Sequence, residues 1–184
     1  LFRRVQKDGK DVRFEKAKTH FFWFLQYWMG QALWVSLTAC AAIIAILSPE
    51  EDTLPVLAML GMALWLTGFT IESISDYQKR VFRKENNPSK SFIHTGLWAR
   101  SRHPNYFGEI TLWTGIAIIA LNTLAGIEYI TLISPVFVYI LLTRMSGVNL
   151  LERISDERYG ELEEYQRYKK NTPVLIPKLS KDKN

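Results

Sequence analysis

Charged side chains avoid four stretches of this chain: residues 21–47, 53–71, 110–127 and 129–143 contain no Asp, Glu, Lys or Arg. A helix needs about 20 apolar residues to cross the roughly 30 Å of a bilayer's hydrocarbon. The first two stretches reach or approach that length, and the last two form one apolar block of 34 residues interrupted only by Glu128. As a single helix that block would be about 51 Å long, too long for one crossing. A turn at Asn122 to Gly126 divides it into a hairpin of two short spans. The pattern therefore predicts an all-α, multi-span membrane protein with four transmembrane helices at about 21–47, 53–71, 106–122 and 127–143. Residues 1–184 form a single membrane domain with a polar tail at 144–184.

Smaller signals refine this reading. Phe21, Phe22, Trp23, Phe24, Tyr27 and Trp28 open the first span as an aromatic interface belt. Gly61 and Gly68 lie inside the second span, where they allow close helix packing. Pro135 predicts a kink in the last span, because it removes a helical donor. In the tail, Leu150, Leu151, Ile154, Leu162, Tyr165 and Tyr168 recur at roughly helical spacing among charged residues. They predict one amphipathic helix on the membrane surface. Pro173 and Pro177 then end regular structure, and a frayed tail is expected from Lys178.

Composition alone would pass for a soluble domain: 184 residues, 48% hydrophobic and 22% charged. The placement of charge excludes that. Residues 1–20, 72–105 and 144–184 carry seven, seven and nine Lys/Arg, which accounts for all 23, whereas the intervening connections carry only acids. This all-or-none bias places the three basic segments in the cytosol. The net charge of +5 thus reports orientation rather than nucleic-acid binding. The single cysteine, Cys40, lies mid-span and excludes an intrachain disulfide or a thiolate metal site. The chain opens on Leu1 and a basic block, without a signal peptide's apolar run, which reads as the C-terminal part of a longer protein.

Three constellations could carry chemistry. The run Gly96 to Glu109 leads into the third span, with Pro104 suited to a first helical turn. That helix would present its free N–H groups and positive dipole end to Arg100, Arg102 and His103 as an anion site. Asn105 and Glu109 share one helix face, and an ionisable group one turn inside a span marks a candidate functional site. The plainer alternative is an interfacial loop whose arginines touch lipid phosphates, with Glu109 paired to one of them. Second, Glu72, Asp76, Lys79 and Arg83 form one helical stripe, suited to ribose hydroxyls and phosphate, or simply to surface salt bridges. Third, Arg144 precedes Glu152, Tyr159, Tyr165 and Tyr168 on the tail. All three lie at one membrane face and could surround one cytosolic cavity. A dinucleotide phosphate is the fitting ligand, with Arg83, Arg100, Arg102 and Arg144 as its partners. His20, His94 and His103 lack metal-ligand spacing, there is no GxGxxG or P-loop, and Ser101-Arg102-His103 are too close in sequence to form a nucleophile–base pair.

Ser101-Arg102-His103-Pro104-Asn105-Tyr106-Phe107-Gly108-Glu109 resembles a motif of the membrane steroid 5-alpha-reductase family, in its broad microbial and plant branch. The likeness extends to Gly9 through Phe14, Asp76 to Arg83, and Leu151 through Tyr165, Tyr168 and Pro177. Related versions of the run occur in sterol reductases and isoprenylcysteine carboxyl methyltransferases. The resemblance implies that this part binds NADPH from the cytosolic side, with Asp76, Arg83, Asn105, Glu109 and Arg144 at family cofactor positions. With the run itself, the candidate cofactor-binding set is Asp76, Arg83, Arg102, His103, Asn105, Tyr106, Glu109 and Arg144. Two positions depart from the family pattern. Glu72 stands where the reductases often carry Asn, and Ser146-Gly147-Val148-Asn149 replaces a histidine-rich stretch.

The implied activity is NADPH-dependent reduction of a carbon–carbon double bond in a steroid-like or other lipophilic enone. The implied setting is a bacterial inner membrane or the endoplasmic reticulum, with the substrate and membrane lipids as partners. The family's substrate-polarising acid lies in N-terminal helices, so no catalytic residue is assigned and residues 1–184 alone are expected to be inactive. The alternatives are a methyltransferase using S-adenosylmethionine on a lipid or prenylated substrate, and a non-catalytic membrane module of the same fold.

Overall fold

The computed structural model describes residues 19–47, 55–86, 91–145 and 147–178. These are helical with connecting turns, and no strand occurs among them. In chain order the α-helices are α1 (Phe21–Leu47), α2 (Pro55–Glu85), α3 (Pro104–Ala120), α4 (Ile133–Ile140), α5 (Val148–Tyr159) and α6 (Glu163–Asn171). Short 3-10 turns at Gly96–Ala99 and Gly126–Leu132 lead into α3 and α4, and a π-helical turn at Leu141–Met145 follows α4.

Three helical stretches are long and apolar enough to cross a membrane by length and composition: Phe21–Leu47, Val56–Glu85 and Gly126–Tyr159. The chain is thus an integral membrane protein. The third stretch continues into charged α5, beyond its charge-free part at 129–143. Helix α3, at 17 residues, is about 25 Å long and packs along α2 in the most extensive contact among the described elements.

Glycine is what makes that contact close. A Cβ at Gly68 would lie 2.5 Å from the Gly108 carbonyl oxygen, and one at Gly61 would lie 2.7 Å from that of Gly115. The reciprocal Cβ atoms at Gly108 and Gly115 would meet the Gly68 and Gly61 carbonyls at 2.7 and 2.6 Å. The two pairs run in opposite order along the chain, so α2 and α3 are antiparallel with their backbones touching. This is the packing expected of small residues in a span, where lipid offers no hydrophobic drive and van der Waals contact must hold helices together. A second, smaller core sits at the other end, where Ala41, Ala120 and Leu124 bury one another. There the Ser134 hydroxyl donates to the Thr38 carbonyl and Cys40 Sγ to that of Thr131, tying α1 to α4 and to the 3-10 turn before it.

Four spans were expected and three helices reach membrane-crossing length, because the span expected at 106–122 is the 17-residue α3; the helices depart from expectation in three further places. Pro135 falls in the first turn of α4, just after a 3-10 segment, where a missing N–H breaks no bond. The tail forms two helices rather than one: α5 ends at Tyr159, and α6 starts after Leu162, whose extended backbone lets the chain turn back. Lys178 is anchored, its N–H donating to the Arg100 carbonyl at 3.0 Å. The expected fraying beyond it falls at residues outside those described.

Gly68→Ala should destabilise the protein by about 1–3 kcal/mol, because the new methyl meets backbone that cannot move aside. Gly30→Ala, with nothing within 4 Å of the added atom, should leave stability unchanged or slightly raised. Thermal unfolding in detergent compares them; equal melting temperatures would contradict the packing.

Candidate functional site

Helix α2 continues beyond its apolar part, and this extension organises the Gly96–Ala99 turn. Gly96 adopts a positive φ of 62°, and its backbone lies so near Gln78 that a Cβ would sit 2.6 Å from the side-chain amide. Only glycine suits both demands. Gln78 Oε1 accepts the Leu97 N–H at 3.0 Å, and the Ser75 carbonyl accepts the Trp98 indole N–H at 3.0 Å. Trp98 is thereby fixed and almost fully buried, at 4% exposure.

The chain's last described residues strap this turn from the other side. Arg102 N–H donates to the Pro173 carbonyl at 2.9 Å and His103 N–H to that of Val174 at 3.0 Å. Ser101 Oγ donates to the Leu175 carbonyl at 2.8 Å, and the Tyr168 hydroxyl donates to the Trp98 carbonyl at 2.7 Å. With its hydroxyl committed in this way, Ser101 has the environment of a structural residue rather than a nucleophile.

The side chains of Arg102 and His103 converge on Glu152 of α5. Arg102 bonds one carboxylate oxygen, and His103 Nε2 lies 2.9 Å from the other. Lys169 approaches the same carboxylate at 3.7 Å while making closer bonds to Asp156 at 2.6 and 2.7 Å. The His103 ring stacks on Tyr106 with centroids 5.5 Å apart. Burial alone would raise the Glu152 carboxyl, but the hydrogen bond from His103 and the charges of Arg102, His103 and Lys169 outweigh it and hold the pKa below its ordinary value. Burial pushes the Tyr165 and Tyr168 hydroxyls up, so both remain protonated donors; Tyr165 donates to Asp156 at 3.0 Å.

Between α2, the turn and the α5–α6 pair lies a cavity of about 170 Å³. Its lining includes four basic side chains, Lys79, Arg83, Arg102 and Arg158, against one carboxylate, Glu152. Phe82, Phe92, Trp98, Tyr159, Tyr165 and Tyr168 add six aromatic rings. Phe92 lies at the hub of the ring cluster, with centroids 5.2–5.8 Å from those of the three tyrosines. Cations that attract an anion, beside flat rings that can stack on a base, suit a nucleotide.

Of the eight sequence candidates, Arg83, Arg102 and His103 line this cavity. Asp76 and Asn105 meet outside it, with Asn105 Nδ2 donating to Asp76 Oδ1 at 3.2 Å. Glu109 sits half-buried one turn along α3 from Asn105, and among the described residues no cation pairs with it. Tyr106 bridges toward the cavity through its stack on His103. Arg144 is exposed on the π-helical turn and is not part of the lining. Lys79, Phe92, Trp98 and Arg158 were not in the candidate set. Lys79 carried a signal, because it shares the helical stripe of Asp76 and Arg83. Phe92 carried none, since an isolated aromatic in a polar connection has no period.

Comparison with known proteins bears on this arrangement. The family model described as a protein of unknown function, DUF1295, matches residues 1–172. The chain belongs to this family. The chain is also 31% identical over 121 residues to mouse 3-oxo-5-alpha-steroid 4-dehydrogenase 1, covering 66% of the chain and 42% of the relative. The rat enzyme of the same name is 31% identical over 119 residues, covering 65% and 40%, and the human one 27% over 121, covering 66% and 41%. This DUF1295 chain is therefore steroid 5-alpha-reductase-like, and it spans about two fifths of the length of the curated relatives it matches. No solved structure gives a significant match.

Removing the Glu152 carboxylate leaves Arg102 and His103 confined without their counter-charge. Glu152→Ala should cost about 3 kcal/mol of stability, and Glu152→Gln less. Because the folded-state pKa is lowered from 4.5, the stabilisation is complete above that value and is lost as pH falls through the lower folded one. The melting-temperature gap between wild type and Glu152→Gln should therefore close on acidification; a gap constant from neutral pH into strong acid would refute the assignment.

Proposed function

We propose that this chain forms the cofactor-binding part of an NADPH-dependent reductase that saturates a carbon–carbon double bond in a steroid-like or other lipophilic enone. The observation that carries the reading is the cavity whose walls combine four basic side chains, one carboxylate and six aromatic rings. Similarity to the 3-oxo-5-alpha-steroid 4-dehydrogenases supports the reaction class.

The donor set fits a phosphorylated dinucleotide in part. At about 170 Å³ the cavity is smaller than the roughly 300–1,000 Å³ usual for ligand sites, so it accommodates a phosphate-bearing portion rather than the whole cofactor. Arg83 and Lys79 would hold phosphate oxygens there. Along the same α2 stripe, the Asp76–Asn105 pair offers acceptors and donors to ribose hydroxyls nearer the membrane, with Tyr106 and Glu109 beside it. Arg102 and His103 act indirectly, since Glu152 already engages them and together they set the cavity wall. Arg144 would join only through a rearrangement of its exposed turn. When bound, the nicotinamide supplies a hydride to the carbon beta to the substrate carbonyl. The distribution of basic segments supports a cavity on the cytosolic side, with the cofactor arriving from water and the lipophilic substrate from the bilayer.

A cationic sulfonium gains little from such a wall, which favours NADPH over S-adenosylmethionine. In the complete protein, Arg83→Ala should weaken NADPH binding by about 10- to 100-fold, the range for losing a charge-assisted contact. Asn105→Ala should weaken it less. Equilibrium titration measures both; saturable S-adenosylmethionine binding without any response to NADPH would overturn the reading.

A further inference from the structure

The cavity's cations are not equivalent. Arg102 is committed to Glu152, whose carboxylate also meets His103 and Lys169. Lys79 and Arg83 face the same space, and among the described residues neither has a carboxylate within ion-pair distance. They lie one helical turn apart on α2, where like charges repel rather than support each other. Asp76 attracts Lys79 only from a distance, and among the described residues neither cation is ion-paired.

Lys79 is also held in an unusual way. Its Nζ sits 4.8 Å from the centroid of the Trp98 ring, a cation–π contact. The ring itself cannot swing away, because its N–H is bonded to the Ser75 carbonyl and the residue is buried. The ammonium is thus positioned by an aromatic face that leaves its positive charge uncancelled. A lysine placed in this way acts as a compact point charge, while the neighbouring Arg83 fork can fix the orientation of phosphate oxygens.

We propose that Lys79, seated on Trp98, forms with Arg83 a phosphate-binding pair, and that Lys79 is the residue through which the cavity selects a phosphorylated ligand. This rests on the dinucleotide reading above for the identity of that ligand. The same phosphate chemistry could come from an anionic lipid headgroup, so the test separates the two sources.

The complete protein in zwitterionic nanodiscs is titrated with NADPH, following tryptophan emission, for wild type, Lys79→Gln and Lys79→Arg; Trp98→Phe assigns the Trp98 component. Lys79→Gln should raise the NADPH Kd about tenfold or more, and Lys79→Arg should restore most of the affinity. The Trp98 component should change on binding in wild type as the ammonium shifts toward phosphate. In a second arm, nanodiscs containing phosphatidylglycerol replace NADPH. A Lys79-dependent Trp98 response to the lipid alone, with no NADPH binding by wild type, would support the phosphate pair and overturn the dinucleotide reading. NADPH binding equal in wild type and Lys79→Gln would overturn this proposal and leave that reading standing. No Lys79-dependent response to either ligand, in proteins with matching far-ultraviolet circular dichroism, would overturn the pair outright.

Discussion

Backbone contact between α2 and α3 is the constraint on which the rest of the molecule depends. Four glycines, paired as Gly61 with Gly115 and Gly68 with Gly108, let the two helices touch without intervening side chains. The pairing also fixes register: a Cβ at Gly108 would lie 2.6 Å from the Glu72 backbone nitrogen. That register sets Asp76 beside Asn105 at the membrane boundary. The same helix supplies Ser75 and Gln78 to hold the Trp98 turn and Lys79 and Arg83 to face the cavity. Helix packing within the apolar layer thereby determines which polar groups meet outside it.

The second organising feature is the carboxylate of Glu152, which gathers a turn before α3 and a helix from the tail into one wall. A buried ion pair of this kind gives uncertain net stability, because desolvation opposes the attraction. Its effect here is geometric. It engages Arg102 and His103, whereas among the described residues Lys79 and Arg83 have no carboxylate within ion-pair distance. The strap at Pro173–Lys178 works in the same direction through main-chain bonds to residues 100–103. The tail is therefore part of the site rather than an appendage to it.

Much of this was legible in the sequence, for identifiable reasons. Three of the four expected spans fall on membrane-length helices, since a bilayer tolerates few ionised groups, whereas the one expected at 106–122 falls on the shorter α3; Gly61 and Gly68 announced close packing because lipid leaves little else to hold helices together. Pro104 marked the start of α3, as its missing N–H suits a first turn. The site was harder to read. Arg102 looked like an open anion-binding group because its partner Glu152 is 50 residues away, and no local period reports such a pair. Arg144 looked equally suitable from its position after a span, yet the π-helical turn leaves it exposed. Phe92 and Trp98 join a common cavity through turns whose geometry depends on Gly96 and on a strap from the far end of the chain.

The proposed receptor for the phosphate-bearing part of a dinucleotide is the basic, aromatic cavity. Photolabelling of the complete protein with an azido-adenine analogue of NADP, followed by peptide mapping, tests this most directly. The account predicts labels on the peptides that carry Phe92, Trp98 or Tyr159 to Tyr168, and their loss when unlabelled NADPH competes. Labelling confined to peptides remote from that cavity, and equally well competed by NADPH, would contradict it.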